Sequence, residues 1–265
     1  MYFSCQDKLL PGETYTEKYI NAVILGFDSI EVNVSYQLPL KQRVEEIKKA
    51  SSESGMIPST VCGGYRGWLG HFDEDMRRTA IEDIKDTICS MAEIGAAGFV
   101  VPAAYGMFSK KLPPFNPPRN ESEDRKILIE GLSLIGEHAL KYGISIFFEP
   151  LNRYEDHMVN TISDAVSIIK SVNLPSVSVM LDFFHANIEE SDITASILAY
   201  KEFIKHIHLA DSNRLQPGMG HLDFESGFKA LKSVNFKGFC ALECSISGEG
   251  TDPFIRMLQF LKQYA

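Results

Sequence analysis

Four acidic or imidazole side chains stand at or near the ends of four successive apolar runs in the second half of the chain. Glu149 ends "ISIFFE", Asp182 lies at the end of "SVSVMLDF", His208 lies late in "IKHIHLAD", and Glu243 lies near the end of "GFCALECS". They are separated by 33, 26 and 35 residues, and each interval matches one strand-and-helix repeat of about 30 residues. Because the carboxyl ends of parallel barrel strands meet at one mouth, we expect the four side chains to converge.

Three carboxylates and one imidazole make a donor set of hard oxygens and one nitrogen. This set suits Mn²⁺, Mg²⁺ or Co²⁺, whereas a structural zinc site would use thiolates. Any one of these acids could instead cap a helix or pair with an arginine, but four strand ends in a row favour a shared ion. We therefore predict that one divalent ion, with Mn²⁺ expected and Co²⁺ or Mg²⁺ as alternatives, is held by Glu149, Asp182, His208 and Glu243. His206, one layer deeper, is predicted to be a core histidine.

Short β-rich runs and longer helical patterns alternate along the whole chain, and these elements must position the four residues. The predicted strands lie near residues 2–5, 27–33, 56–63, 97–104, 144–149, 176–183, 204–211 and 238–245. The predicted helices lie near residues 14–25, 40–54, 73–95, 126–143, 162–172, 193–200, 223–234 and 252–263.

Eight such repeats in 265 residues predict an α/β fold, a (β/α)8 TIM barrel in a single domain over 1–265. The strands are nearly all apolar, as expected of parallel strands that are covered on both faces. A doubly wound open sheet is the alternative, but no GxGxxG turn follows the first strand. The proline-rich segment 105–124 is predicted to be a loop or lid. Side-chain alternation on the last strand predicts that Cys240 and Cys244 face the helices if Glu243 points inward.

Composition narrows the classes of partner. The formal net charge of −9 argues against nucleic acid and against an anionic membrane surface. The sequence contains no run of about 18 apolar residues, so no membrane span is predicted. The five cysteines form no CxxC pair, which favours a reduced, cytoplasmic protein.

Four segments carry a resemblance to a known family: "FFEPLNRYE" (147–155), "MLDFFHANIEE" (180–190), "HIHLADSNRLQPGMGHLDF" (206–224) and "ALECS" (241–245). They resemble the xylose-isomerase-like TIM barrel superfamily, and within it most closely the D-tagatose/D-psicose (allulose) 3-epimerase group of ketose 3-epimerases. The likeness runs from about Phe27 to the C-terminus. It is weaker in "CGGYRGWLGHFDED" and in 105–124, so it leaves the preferred sugar open.

The resemblance implies a sugar epimerase, an isomerase that needs a divalent metal and takes a small sugar as its partner. It places the metal on the same four residues and substrate contacts on Glu155, His185 and Arg214. A homodimer or homotetramer is also expected.

The chemistry of a ketose explains why such an enzyme needs these groups. The C–H next to a ketone is too weakly acidic for a free carboxylate, but a metal bound to the carbonyl and hydroxyl oxygens stabilises the enediolate. Two glutamates on opposite faces then invert the carbon, so we expect Glu149 and Glu243 to be the acid and base for C3 of a ketose, through a cis-enediolate. Arg66, Lys110, Lys111 and Arg119 could serve a phosphate if the sugar is phosphorylated.

Other reactions could use the same set of residues. A sugar-phosphate 3-epimerase or an aldose–ketose isomerase would need nearly the same acids, and a polyol or keto-acid dehydratase is a more distant alternative. A DNA-repair endonuclease would need more histidines at the strand ends, and a non-catalytic sugar-binding barrel would not need two glutamates beside a metal.

Overall fold

Eight parallel strands form a closed barrel in the computed structural model, which describes residues 1–110 and 115–265. Each strand is hydrogen-bonded to the next along the chain, and the last pairs with the first. The strands are β1 (Tyr2–Gln6), β2 (Ser29–Val34), β3 (Pro58–Gly63), β4 (Gly98–Pro102), β5 (Ser145–Glu149), β6 (Val177–Asp182), β7 (Ile204–Leu209) and β8 (Phe239–Leu242). Each predicted strand region overlaps one of them, and the predicted (β/α)8 barrel is confirmed.

Helices connect the strands. They are α1 (Tyr15–Leu25), α2 (Val44–Ser54), α3 (Glu74–Ile94), α4 (Glu121–Tyr142), α5 (Ile162–Val172), α6 (Phe183–Glu189), α7 (Ile193–Tyr200), α8 (Phe224–Ser233) and α9 (Asp252–Lys262). Side-chain caps fix several helix starts: Asp73, for example, accepts hydrogen bonds from the backbone of Asp75 and Met76, which satisfies amides that have no partner within the helix.

The largest differences from the sequence-based expectation concern two helices. The short helix α6 was not predicted; it begins directly after Asp182, whose side chain caps it by accepting from the Phe184 amide. Helix α4 begins five residues earlier than predicted, because Asn120 and Glu123 form a reciprocal capping box just after the last proline of that segment.

Apolar side chains form two separate layers. Outward-facing strand residues pack with the helices in the larger layer, and it contains Cys240 and Cys244, as the alternation on β8 predicted. The smaller layer fills the barrel interior with Val100, Phe147 and Met180. A Cβ at Gly98 would lie 2.0 Å from the Phe147 ring, so only glycine fits beside this interior layer.

Polar side chains lie above this interior apolar layer, toward the carboxyl ends of the strands. His206 stacks on Phe147 with ring centroids 5.1 Å apart and begins the polar layer, and it is buried as predicted. In the part of the chain that the structure describes, no helix combines the length and apolar character needed to cross a membrane.

Candidate active site and metal centre

The four residues at the strand ends converge at one mouth of the barrel. Glu149 ends β5, Asp182 ends β6, His208 lies in β7, and Glu243 follows β8 by one residue. One ligand-type atom from each lies within 4.8 Å of the others. His208 Nδ1 is 3.1 Å from Glu243 Oε2 and 3.6 Å from Glu149 Oε1. The predicted donors therefore surround a single point.

Glu149 shows most directly that this point suits a cation. Its carboxylate is buried, yet Oε1 has no hydrogen-bond partner among the described residues. Burial raises the pKa of the Glu149 carboxyl, and His208 beside it opposes the shift. A buried acceptor without a donor is costly. A divalent ion among the four side chains would remove that cost, so the donor set fits a metal.

Glu243 has the opposite environment. Burial alone would raise the pKa of its carboxyl, but His208 and Arg214 beside it hold that pKa well below its usual range. Burial would likewise raise the pKa of Asp182, and Arg214 and His185 lower it. Both of these groups are therefore carboxylates at neutral pH, as metal ligands must be.

Arg214 lies across the ligand cluster. Its guanidinium donates to Asp182 Oδ2 at 2.8 Å and to Glu243 Oε2 at 2.9 Å, and it packs over the Phe184 ring. The residue has φ of 60°, a left-handed backbone conformation that is uncommon outside glycine, asparagine and aspartate. Asp211 holds this loop by accepting three backbone hydrogen bonds, from Ser212, Gly218 and Leu222.

His185 is oriented by the loop after β5. Its Nδ1 accepts from the backbone amide of Asn152 at 3.2 Å and lies 2.7 Å from the side-chain nitrogen of that residue. In the neutral ring the proton is then on Nε2, which points toward Asp182 Oδ2 at 3.6 Å and Glu155 Oε2 at 3.9 Å. The three residues that the resemblance assigned to substrate thus lie around the same mouth.

A cavity of about 150 Å³ opens above the cluster. Its polar wall includes Glu149, Glu155, His185, Arg214 and Glu243. Its other wall is aromatic: Trp68 meets Tyr65 edge to face with centroids 5.4 Å apart and Tyr105 at 6.1 Å. Such a wall can pack against the C–H face of a sugar ring. Tyr105 was not identified from the sequence, although it stands in the loop after β4, where a mouth residue is expected.

The cations considered for a phosphate have other partners. Arg66 forms a two-pronged pair with Asp83, both N–O distances being 2.8 Å. Lys110 donates to Asn160 Oδ1 at 3.0 Å. Arg119 donates to Asp124 and to two backbone carbonyls. Lys111 lies outside the described residues.

Glu31 was missed in the sequence. It lies on β2 beneath the cluster, and its carboxylate is fully buried within 3.0 Å of both His206 and His208. A signal was present, because a glutamate interrupts the apolar run "SIEVNV" at a position whose side chain must face the barrel interior when Ile30 and Val32 face the helices.

Known proteins resemble this chain over nearly its full length. The sequence model of the xylose isomerase-like TIM barrel family matches residues 21–264. The 3-dehydro-D-guloside 4-epimerase of Escherichia coli (strain K12) is 37% identical over 249 residues, covering 94% of both chains. The D-psicose 3-epimerase of Agrobacterium fabrum is 29% identical over 242 residues, covering 88% of this chain and 80% of that protein.

Solved structures agree with the sequence matches. The apo crystal structure of 3-keto-D-glucoside 4-epimerase from E. coli superposes with a TM-score of 0.93 at 36% identity and covers 99% of both chains. The D-allulose 3-epimerase from Methylomonas sp., in complex with D-allulose, has a TM-score of 0.87 at 22% identity and covers all of this chain and 97% of that one. The D-allulose 3-epimerase shares the fold of this chain, whereas the E. coli 4-epimerase is similar to it in both fold and sequence.

Proposed function

The chain belongs to the xylose isomerase-like TIM barrel family, and on that premise we propose that it is a divalent-metal-dependent epimerase of a keto sugar. It inverts a hydroxyl-bearing carbon next to a ketone. The observation that carries this proposal is the four-residue cluster at the barrel mouth, in which the buried Glu149 Oε1 has no partner among the described residues.

Glu149, Asp182, His208 and Glu243 would hold the ion, and Mn²⁺ is the metal we expect because the set contains three oxygen donors and one imidazole. When bound, the ion would supply Lewis acidity to the ketone and its neighbouring hydroxyl oxygen. Everything else required by the reaction is assigned to side chains of the protein.

Glu149 and Glu243 handle the protons. They come from β5 and β8, which are separated in the barrel by β6 and β7, so they approach the cavity from different sides. One carboxylate takes the C–H proton from one face of the sugar, which becomes a cis-enediolate. The other returns a proton to the opposite face, and the carbon is inverted.

Arg214, His185 and Glu155 hold the sugar. Two of the guanidinium N–H groups contact Asp182 and Glu243, which leaves three of the five donors of that side chain for substrate oxygens. The Nε2–H of His185 points into the same cavity and donates to a hydroxyl or carbonyl oxygen. Glu155, which is about one-third exposed, accepts from a sugar hydroxyl.

Two classes of sugar contain a hydroxyl-bearing carbon next to a ketone and could be the substrate. A 3-keto hexoside inverted at C4 is favoured by the match to the E. coli 4-epimerase, which covers 94% of each chain. A free ketose inverted at C3, the expectation from the sequence, is supported by the D-psicose 3-epimerases. The other contacts of Arg66, Lys110 and Arg119 favour an unphosphorylated sugar in both cases.

The test is a panel of sugars incubated with the protein and Mn²⁺ in D₂O and followed by NMR. The panel contains methyl 3-keto hexosides, free hexuloses and hexulose phosphates. We expect one carbon next to the ketone to gain deuterium and invert. An aldose product would indicate an isomerase, loss of water would indicate a dehydratase, and no exchange in any sugar would contradict the proposal.

A further inference from the structure

Glu31 is the centre of a buried hydrogen-bond cluster one layer below the metal ligands. Four side chains from three other strands converge on its two oxygens. Thr60 Oγ1 lies 2.7 Å and His206 Nε2 3.0 Å from Oε2, and Gln6 Nε2 lies 2.9 Å from Oε1, all within hydrogen-bond geometry. His208 Nε2 also lies 2.9 Å from Oε1, but outside hydrogen-bond geometry. Three hydrogen bonds and one close ionic contact thus occupy a group that offers about four acceptor positions.

Both ring nitrogens of His208 face carboxylates. Nε2 lies 2.9 Å from Glu31 Oε1, and Nδ1 lies 3.1 Å from Glu243 Oε2 and 3.6 Å from Glu149 Oε1. To ligate a metal through Nδ1, the ring must carry its proton on Nε2, against Glu31. A histidine that ligates a metal through one nitrogen commonly donates its other N–H to a carboxylate in this way.

Gln6 extends the cluster to a second ligand. Its Nε2 lies 2.9 Å from Glu31 Oε1 and 3.1 Å from Glu243 Oε1. Only the NH₂ end of the amide fits between two carboxylates, and each of its two N–H groups donates a hydrogen bond to one of them. Glu31 thereby fixes the orientation of the amide that holds Glu243.

We propose that Glu31 is a positioning residue for the metal centre: its carboxylate lies against His208 Nε2 and so turns Nδ1 toward the ion, and it fixes Glu243 through Gln6. The inference rests on the proposed function only in requiring a metal among the four ligands. Glu31, His206 and His208 are not assigned a second ion, because both Glu31 oxygens already accept hydrogen bonds from Gln6 and Thr60.

Glu31→Gln tests the proposal, with Mn²⁺ affinity measured by electron paramagnetic resonance. A glutamine has one acceptor oxygen, so it cannot satisfy all four contacts, and its NH₂ would oppose the His208 N–H. We expect the Kd for Mn²⁺ to rise about 10–100-fold, the usual effect of losing such a support. An unchanged Kd would overturn the proposal.

Asp124→Asn is the matched control. Asp124 is also a buried carboxylate beside a buried histidine, with His157 Nε2 3.3 Å from Oδ2, but that histidine is not in the ligand cluster. The control should change the Kd for Mn²⁺ less than twofold. An equal weakening by both variants would show a general effect of removing a buried charge and would also overturn the proposal.

A second measurement needs no variant at Glu31, so it remains decisive if Glu31→Gln fails to fold. Wild-type protein labelled with ¹⁵N-histidine and saturated with Mg²⁺, a diamagnetic probe, should show the His208 proton on Nε2, assigned by comparison with His208→Gln. A proton on Nδ1 would overturn the proposal.

The two proposals fail in different ways. If the wild-type protein binds no Mn²⁺, both proposals are contradicted. If it binds Mn²⁺ but exchanges no sugar proton, only the proposed reaction is contradicted, and the affinity and NMR data decide the role of Glu31.

Discussion

At the residue scale, the two glutamates assigned to proton transfer have contrasting surroundings. Glu149 has one oxygen without a donor, and burial raises its pKa. Glu243 accepts from Gln6 and Arg214, and its pKa is lowered by His208 and Arg214 despite burial. Pairs of acids with opposite shifts are typical of sites where one group donates and another accepts a proton.

Glu149→Gln and Glu243→Gln should separate catalysis from binding. Each retains an oxygen near the metal but cannot exchange a proton with carbon, so turnover should fall at least about 10²–10⁴-fold, while sugar binding by calorimetry changes little. Each variant should still exchange the reacting hydrogen with D₂O from only one of the two epimers. Near wild-type epimerisation by both variants would contradict the two-glutamate mechanism.

Asp182→Asn and His208→Ala should weaken Mn²⁺ binding and leave the barrel folded, because both side chains line the mouth and not the packed layers. Circular dichroism and metal titration measure the two effects. Global unfolding of both variants would instead assign these residues to the stability of the barrel.

At the scale of elements, three loops around the mouth are tied together. Arg119, just before α4, donates to Asp124 and to the carbonyls of Gly70 and His71 in the loop after β3. Asp124 also contacts His157 from the loop after β5. Two of these loops position the aromatic wall and His185, so the contacts of Arg119 and Asp124 stabilise the cavity from outside.

Asp124→Asn should therefore destabilise the fold in a pH-dependent manner. Burial alone would raise the pKa of Asp124, but His157 and Arg119 lower it. Because the folded pKa is below the unfolded value of about 3.9, this stabilisation is present above that pH and is lost as the pH falls through the folded value. We expect a loss of about 1.5–3 kcal/mol at pH 7, by urea denaturation, that shrinks below about pH 4. A loss that does not vary with pH would contradict the ionic contribution.

At the scale of the whole molecule, the four proposed ligands lie in β5, β6 and β7 and directly after β8, and β8 closes the barrel against β1. A metal that binds all four ligands links strands across half of the barrel. Because it binds the folded state, it must stabilise that state through mass action.

Metal removal should therefore lower both activity and thermal stability. Mn²⁺ at 100 times its Kd should add about 2.7 kcal/mol, which corresponds to a rise in Tm of about 5–10 °C for a chain of this size. Excess chelator should abolish turnover and reverse the rise, and Mn²⁺ or Co²⁺ should restore both; calorimetry and the sugar assay measure them. Full activity of the metal-stripped protein would contradict the proposal.

The barrel and the four strand-end residues could be predicted from the sequence because both depend on local patterns. Strand and helix periodicity repeats about every 30 residues, and alternation along each strand assigns faces, as with Cys240 and Cys244. Once the strands are parallel and closed, Glu149, Asp182, His208 and Glu243 must meet at one end.

Tertiary structure alone decided which partner each charged side chain takes. Arg66 was a candidate phosphate ligand until the fold paired it with Asp83, and Arg214 lies between two ligands from different strands. The four side chains that contact the Glu31 carboxylate come from β1, β3 and β7. Such contacts join residues up to 237 positions apart, and no local periodicity specifies them, because they form only when the closed barrel brings distant strands within hydrogen-bond distance.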